Sequence, residues 1–265
     1  MGDDNARKRC MFCGSTKNKL TQQHLFADRF RESFNGVVTN GRTTMLTGDE
    51  LIASFPSKPF THTIGGVCCR CNGVWLNDIE NKVFPVIEPM MARDEGMSLT
   101  PAMQRALANW AVETVLILDR AYSGDRRVPD SEYKAFYSKT QPLKNHVVWI
   151  GRTELTAEHL IYLSMGRIIR LTLKRDEALK KRLFDSAALG NWNYVTTFCI
   201  GFVVLQVVGF AIPETVPLVM DERHQATMRR IWPVQGNVDW PPSFYLPSVE
   251  DIQNVHDSVT KPPDF

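Results

Sequence analysis

Two pairs of cysteines have the spacing of a zinc site. Cys10 and Cys13 form one CxxC pair, and Cys68 and Cys71 form a second. Zinc prefers four thiolate or imidazole ligands in a tetrahedron, and each CxxC turn presents two sulfurs close together. A chain without an export signal should keep its thiols reduced, which favours metal binding over disulfides. We therefore predict one structural zinc ion held by these four cysteines, with the adjacent Cys69 as a spare thiol.

Histidine, asparagine and tryptophan follow the two cysteine pairs in a distinctive order. The segment 20–26, LTQQHLF, places His24 after the first pair, and Asn72 directly follows the last cysteine of the second. The run 71–80, CNGVWLNDIE, then carries Trp75. This order resembles that of the HNH endonucleases, and more narrowly a branch of mostly bacterial and phage proteins with a Cys-Asn-x-x-Trp-(Met/Leu)-x-x-(Leu/Ile)-Glu motif. The resemblance covers roughly the first third of the chain, and residues 98–265 show only a vague likeness to the tails of such proteins.

The resemblance implies a fold and a role for each matching residue. The fold would be a ββα-metal finger that grips one catalytic divalent ion, Mg²⁺ or Mn²⁺, with zinc serving only as a structural clasp. His24 would be the general base that takes a proton from the attacking water. Asn72 would ligate or help to place the divalent ion, which stabilises the leaving 3′ oxygen. The expected activity is hydrolysis of DNA phosphodiester bonds, with RNA as the alternative substrate, in a phage, prophage or defence context.

Gln23 departs from the family pattern at a position that matters for the divalent ion. The residue before the histidine is normally an acid or a second histidine, and an amide oxygen is a weaker ligand for a hard cation. Ala27 likewise stands where a proline is usual. Three explanations remain: an active enzyme with a weakened or borrowed site, a degenerate finger that binds nucleic acid or protein without cleaving, or a deliberately inactivated variant. A borrowed carboxylate could come from Asp28, Asp49, Glu50, Asp78 or Glu80.

The elements that must position these residues can be predicted from the patterns around them. Residues 60–67 are typical of a strand that runs into the second cysteine pair, and His62 on it is a further candidate ligand. From Asn72 onward, apolar residues at helical spacing predict an amphipathic helix, which Pro85 or Pro89 should end.

Helical and strand patterns both occur in the second segment of the chain. A sustained 3.6-residue apolar period predicts a long buried helix from Pro101 to about Ser123, and residues 130–138 are typical of a short helix. The region 156–173 fits neither type cleanly, and the proline-rich chain after Pro213 should lie as an extended tail. Short apolar runs predict buried antiparallel strands over 146–151, 192–198 and 201–210.

Composition indicates an ordinary globular protein. The chain has 265 residues, 43% of them hydrophobic, and a net charge of +2, which permits a DNA partner without requiring one. The most apolar stretch, 198–212, is too short to cross a membrane, and the acidic start of the chain lacks the apolar run of a signal peptide. We therefore expect a cytoplasmic protein with no membrane partner.

The fold class predicted from these patterns is α+β, in two domains. Residues 1–95 would be the zinc-stapled, HNH-like ββα-metal finger, with Phe26 and Trp75 in its small local core. Residues 96–265 would be a mixed domain of helices and antiparallel strands whose role is open. That second domain is a candidate surface for a homo-oligomer or a protein partner.

Overall fold

The described part of the chain forms helices and antiparallel sheets, which confirms the predicted α+β class. The structure is a computed structural model that describes residues 9–33, 41–47, 50–57, 63–91, 96–122, 128–154, 161–167, 193–210, 218 and 220–260. Within these ranges, no helix combines the length and the apolar character needed to cross a membrane.

A two-stranded antiparallel sheet links the two cysteine pairs. Strand β1, Leu20–His24, pairs with β4, Thr63–Cys68, which confirms the predicted strand running into the second pair. The register shifts along this sheet, since Thr21 lies opposite Val67 whereas Gln23 lies opposite Ile64. The extra residue therefore belongs to β4, where Gly66 has a φ of +101° that favours glycine.

The described residues between β1 and β4 include a short helix and a hairpin. Helix α1 is Asp28–Ser33, and the hairpin strands are β2, Gly41–Thr47, and β3, Glu50–Ser57. The predicted ligand His62 lies outside the described residues.

The helix after the second cysteine pair is longer than predicted. It opens as a π-helical turn, Cys71–Leu76, and continues as α2, Asn77–Met91. The prediction that Pro85 or Pro89 ends the helix is wrong, because both lie within α2. A proline inside a helix costs about 3 kcal/mol, but a stripe of large apolar side chains, each contributing about 2 kcal/mol when buried, continues past both. The stripe consists of Ile79, Val83, Ile87 and Met90.

Two helices in the second half match their predictions. Strand β5, Met97–Leu99, leads into α3, Pro101–Tyr122, which begins at the predicted proline and ends one residue before Ser123. The predicted short helix is α4, Asp130–Lys139. Helix α3 packs against α2, so the second half of the chain directly supports the motif-bearing helix.

The largest sheet has five antiparallel strands in the order β10-β6-β9-β8-β7. The three predicted apolar strands are confirmed as β6, β8 and β9. Strand β7 lies in the region 156–173, whose sequence fits neither a helix nor a strand cleanly. Both faces of the sheet are covered: alternate residues pack against α3 on one face and against the last helix, α6, on the other. The strands are β6 (His146–Arg152), β7 (Ile161–Arg167), β8 (Tyr194–Ile200), β9 (Val203–Gly209) and β10 (Met228–Trp232).

The chain after Pro213 is not the extended tail that was predicted. It contains α5, Glu222–Thr227, then β10, then β11, Val238–Trp240, which pairs with β5, and finally α6, Val249–Thr260. Helix α6 forms because Ile252, Val255 and Val259 share one face and are buried against the sheet. The prolines obscured this spacing.

Buried residues from both halves of the chain belong to one hydrophobic cluster. Phe26 belongs to this cluster and Trp75 packs against it, which confirms that both are core residues, but the prediction that the core is local to the first ninety-odd residues is wrong. The Trp75 ring centroid lies 5.6 Å from that of Phe136 in α4, and the Phe26 centroid lies 6.5 Å from that of Trp110 in α3. The domain boundary at residues 95–96 stays a prediction.

Candidate functional site

The four predicted cysteine ligands come together in the fold. The sulfurs of Cys10, Cys13, Cys68 and Cys71 all lie within 4.8 Å of one another. Cys69 is exposed and is not part of the group. The second pair therefore consists of Cys68 and Cys71, as predicted. Four thiols at this separation could hold a metal ion, which is consistent with structural zinc.

Local backbone geometry explains why the first pair can converge. The turn after Cys10 closes through a hydrogen bond from the Gly14 N–H to the Cys10 carbonyl at 2.9 Å, and Gly14 has a φ of +68°. The Met11 N–H donates to the Gly66 carbonyl at 2.9 Å, which ties this turn to the bulge in β4. The turn and the end of β4 are thereby held side by side.

The contact between thiols also shifts their protonation. A hydrogen bond from the Cys71 side chain is the main cause that lowers the pKa of Cys10 to about 4, and the same contact raises the pKa of Cys71. The thiolate is the form that binds metal. The cluster therefore holds at least one sulfur ready to act as a ligand.

A cleft of about 300 Å³ lies next to the cysteine cluster. The end of β1, the start of α1, the π-helical turn and α2 surround it. The cleft brings the three predicted catalytic residues, Gln23, His24 and Asn72, together with residues that the motif did not include. Its lining consists of Gln22, Gln23, His24, Ala27, Asp28, Arg29, Asn72, Asn77 and Glu80.

His24 is the last residue of β1 and is partly open to solvent. Its side chain is 39% exposed, and its Nε2 lies 3.9 Å from an oxygen of Asp28, four residues later in α1. Its Nδ1 is buried and has no hydrogen-bond partner among the described residues. The imidazole therefore reaches both the cleft and a carboxylate.

Gln23 is almost completely buried, with 4% of its surface exposed. Its Nε2 donates to the His24 carbonyl at 3.0 Å. Because a carbonyl oxygen can only accept, the end of the amide that faces it must be the nitrogen. Its Oε1 is buried without a hydrogen-bond partner in the described part of the chain. A buried acceptor without a donor is costly, about 1 to 3 kcal/mol, so a donor or a cation at this oxygen would be stabilising.

Asn72 connects the π-helical turn to β1. Its Nδ2 donates to the Thr21 hydroxyl and to the Gln22 carbonyl, both at 3.0 Å. These bonds hold β1 at the register shift, two to three residues before His24. The amide nitrogen of Asn72 thus positions the strand that carries His24.

Two of the five carboxylates suggested as borrowed ligands line the cleft, namely Asp28 and Glu80. Asp78 instead forms an exposed ion pair with Lys82 at 2.6 Å. Asp49 and the side chain of Glu50 lie outside the described residues.

Glu80 has an unusual electrostatic environment. Burial is the main cause that raises its pKa to about 7; Arg29 opposes this increase and Asp28 adds to it. Glu113 in α3 is also close enough to interact with Glu80, and burial raises the Glu113 pKa well above its ordinary value. One oxygen of Glu113 lacks a hydrogen-bond partner among the described residues.

In the sequence, Arg29 and Arg31 form one of several basic clusters that could contact phosphate or lie as solvated surface, and nothing assigned Arg29 to this cleft; sequence reasoning missed Glu113 altogether. A signal for Glu113 was present, because an acid within the apolar run 107–118 of α3 predicts an unusual environment. The place of Arg29 at the cleft had no signal in the sequence, since it depends on how α1 packs against α2.

Comparisons of the chain with protein-family profiles, with curated proteins and with solved structures found no match in any of the three.

Proposed function

We propose that the protein is an HNH-type endonuclease that hydrolyses DNA phosphodiester bonds with one divalent ion and with His24 as the general base. The observation that carries this proposal is the cleft itself. His24, Gln23, Asp28 and Glu80 line one small cavity, and Asn72 holds the strand that presents the histidine.

The exposure of His24 supports its proposed role. Histidine is the side chain best suited to accept a proton near neutral pH, and the open side of the imidazole can contact a water molecule in the cleft. Asp28 lies beside this histidine, with a carboxylate oxygen 3.9 Å from Nε2. Once His24 has taken a proton from the water, the hydroxide left behind attacks phosphorus, and the bond between phosphorus and the leaving 3′ oxygen breaks, with that oxygen taking a proton from solvent.

The donors in the cleft fit a hard divalent cation. Gln23 offers a buried, unpartnered oxygen, and Asp28 and Glu80 offer carboxylates, so these three residues would hold Mg²⁺ or Mn²⁺. The two acids would compensate for the neutral amide at position 23. When bound, the ion supplies charge stabilisation to the leaving oxygen.

A matched pair of variants tests this proposal. His24→Ala should reduce Mn²⁺-dependent nicking of supercoiled plasmid by at least a hundredfold, because general-base catalysis contributes about 10² to 10⁴ in rate. Lys82→Met removes an exposed charge on α2 outside the cleft and should cut like wild type. Both variants should keep the wild-type melting temperature.

Wild-type protein that leaves plasmid intact across a wide range of Mn²⁺ and protein concentrations would refute the nuclease. Nicking that His24→Ala retains would point instead to a contaminating enzyme or to a different base.

A second candidate function is a degenerate finger that binds nucleic acid or protein without cleaving it. Two observations favour it. Gln23 replaces the usual acid, and the described residues contain no group of three or more His, Cys, Asp and Glu ligands close enough to share an ion apart from the cysteine cluster.

Gln23→Glu distinguishes the two candidates. If only an acidic ligand is lacking, the variant should cut plasmid at least tenfold faster than wild type and at lower Mn²⁺ concentration. If the remaining site has decayed, both proteins should bind DNA and neither should cut it.

A further inference from the structure

Arg29 is held in a defined orientation at the side of the cleft. Its Nη1 donates to Asn81 Oδ1 at 2.6 Å, and its Nη2 donates to Asn77 Oδ1 at 3.1 Å. Asn77 and Asn81 are four residues apart, so they lie on the same face of α2. The guanidinium carbon also lies 5.4 Å from the centroid of the Phe84 ring. Three contacts thus orient one half-buried guanidinium.

The partners of Arg29 leave its charge in place. Both hydrogen bonds go to neutral amide oxygens, which orient a guanidinium without cancelling its positive charge as a carboxylate would. The charged side chain also lines the cleft. An arginine needed only to join α1 to α2 would be served as well by a carboxylate at either position.

Guanidinium geometry indicates the chemistry of the ligand. The group has five N–H donors in a planar fork, and its hydrogen bonds to the two amides use only some of these donors. The fork matches the oxygens of a phosphate. Arg29 shares the cleft with His24, Asp28 and Glu80. The acids suit a cation on one side, and Arg29 suits an anion beside it.

We propose that Arg29 binds a non-bridging oxygen of a DNA phosphate and so positions the phosphodiester against His24, with Asn77 and Asn81 orienting the guanidinium. This inference rests on the proposed function, because it assigns the phosphate contact of that same site. The competing possibility is that Arg29 only joins α1 to α2.

The test measures DNA binding separately from cleavage. Each variant is made in a His24→Ala background, and its affinity for a fluorescein-labelled DNA duplex is measured by anisotropy in Ca²⁺ at several salt concentrations. Arg29→Met should weaken binding about tenfold and reduce the slope of log affinity against log salt by about one. Arg29→Lys keeps the charge but not the fork and should fall between wild type and Arg29→Met.

Asn81→Asp is the decisive variant. It keeps the guanidinium and its geometry but pairs it with a carboxylate, so it should weaken DNA binding in the same way as Arg29→Met. Since Asn81 is exposed, this variant should fold even if Arg29→Met does not. Lys82→Met, next along the same helix, is the matched control and should change affinity by less than twofold.

The outcomes separate this inference from the proposed nuclease. Wild-type affinity and salt slope in both Arg29→Met and Asn81→Asp would overturn the phosphate contact, even if the enzyme cuts DNA. With His24 intact, Arg29→Met should raise the KM for plasmid more than it lowers kcat. Arg29-dependent binding by a wild-type protein that never cuts would support the contact and reject the nuclease. A wild-type protein that neither binds nor cuts DNA would overturn both.

Discussion

Glu80 combines two properties that rarely occur together in one side chain. It lines the cleft, yet only 9% of its surface is exposed, and burial raises its pKa to about 7. An acid whose pKa is higher in the folded than in the unfolded state favours folding while it is protonated. It loses that contribution as the pH rises towards the folded pKa. Glu80 therefore costs the metal-free protein stability near neutral pH.

Glu80→Gln should remove this pH dependence. In buffer without added divalent cation, the free energy of unfolding of the variant should match wild type near pH 4.5. It should exceed wild type at pH 8 by up to about 3 kcal/mol, since one pKa unit corresponds to about 1.4 kcal/mol. Urea denaturation at several pH values measures the difference.

Glu88→Gln provides the control for that experiment. It makes the same chemical change on the exposed side of α2 and should follow wild type at every pH. A parallel response of both variants would show that burial of Glu80 is not the cause. If Glu80 is also a ligand, Mn²⁺ should stabilise wild type more than Glu80→Gln, because only the ionised carboxylate binds the ion.

The junction of the π-helical turn with β1 is the element-scale feature on which the site depends. Asn72 donates from one nitrogen to Thr21 and to Gln22, at the point where the register of β1 and β4 shifts. His24 follows in the same strand. A small displacement of this junction would move the imidazole relative to Asp28 and Glu80.

Asn72→Asp distinguishes a positioning residue from a metal ligand. Aspartate keeps the shape but removes the donor and places a negative charge against the Gln22 carbonyl, so plasmid cleavage should fall at least tenfold. Stability should fall by about 1 to 2 kcal/mol in thermal or urea unfolding. If Asn72 serves mainly as a ligand, the carboxylate should instead raise affinity for Mn²⁺ and preserve cleavage.

Some elements could be predicted from the sequence because their signals are local. The four cysteines lie at fixed short spacing, and the apolar period of α3 is uninterrupted. The prediction that the helix ends at Pro85 was wrong, because burial of the apolar stripe through Met90 stabilises the helix by more than the prolines cost. The place of Arg29 at the cleft could not be predicted, since it depends on the packing of α1 against α2, and the acid within the apolar run of α3 indicated an unusual environment for Glu113 without indicating that Glu80 is its neighbour.

At the scale of the whole molecule, the cysteine cluster and the large sheet share one continuous core. Phe12, in the first cysteine turn, lies 4.9 Å from Trp75 between ring centroids, and Trp75 lies 5.6 Å from Phe136 in α4. The Trp75 indole also donates to the Thr140 hydroxyl at 3.3 Å. Loss of the cluster should therefore destabilise the second half of the chain as well.

A metal ion held by the cysteine cluster should be released in the same thermal transition that unfolds the rest of the protein. Metal released to a chromogenic chelator and the far-ultraviolet circular dichroism signal should give the same melting temperature. Cys13→Ser should lower that temperature in both signals, whereas Cys69→Ser, which changes the exposed thiol outside the cluster, should not. Metal release well below the main transition would indicate two independent domains.

The cluster joins Cys13 to Cys68 across 55 positions of chain, and the hairpin β2–β3 lies within that closed loop. The entropic cost of closing a loop grows only with the logarithm of its length, so doubling this segment would cost about 0.6 kcal/mol. The β2–β3 hairpin within this loop could therefore grow, shrink or be exchanged over evolutionary time while β1, β4 and the cysteines stay in place. The same tolerance makes it a suitable position for grafting a foreign peptide.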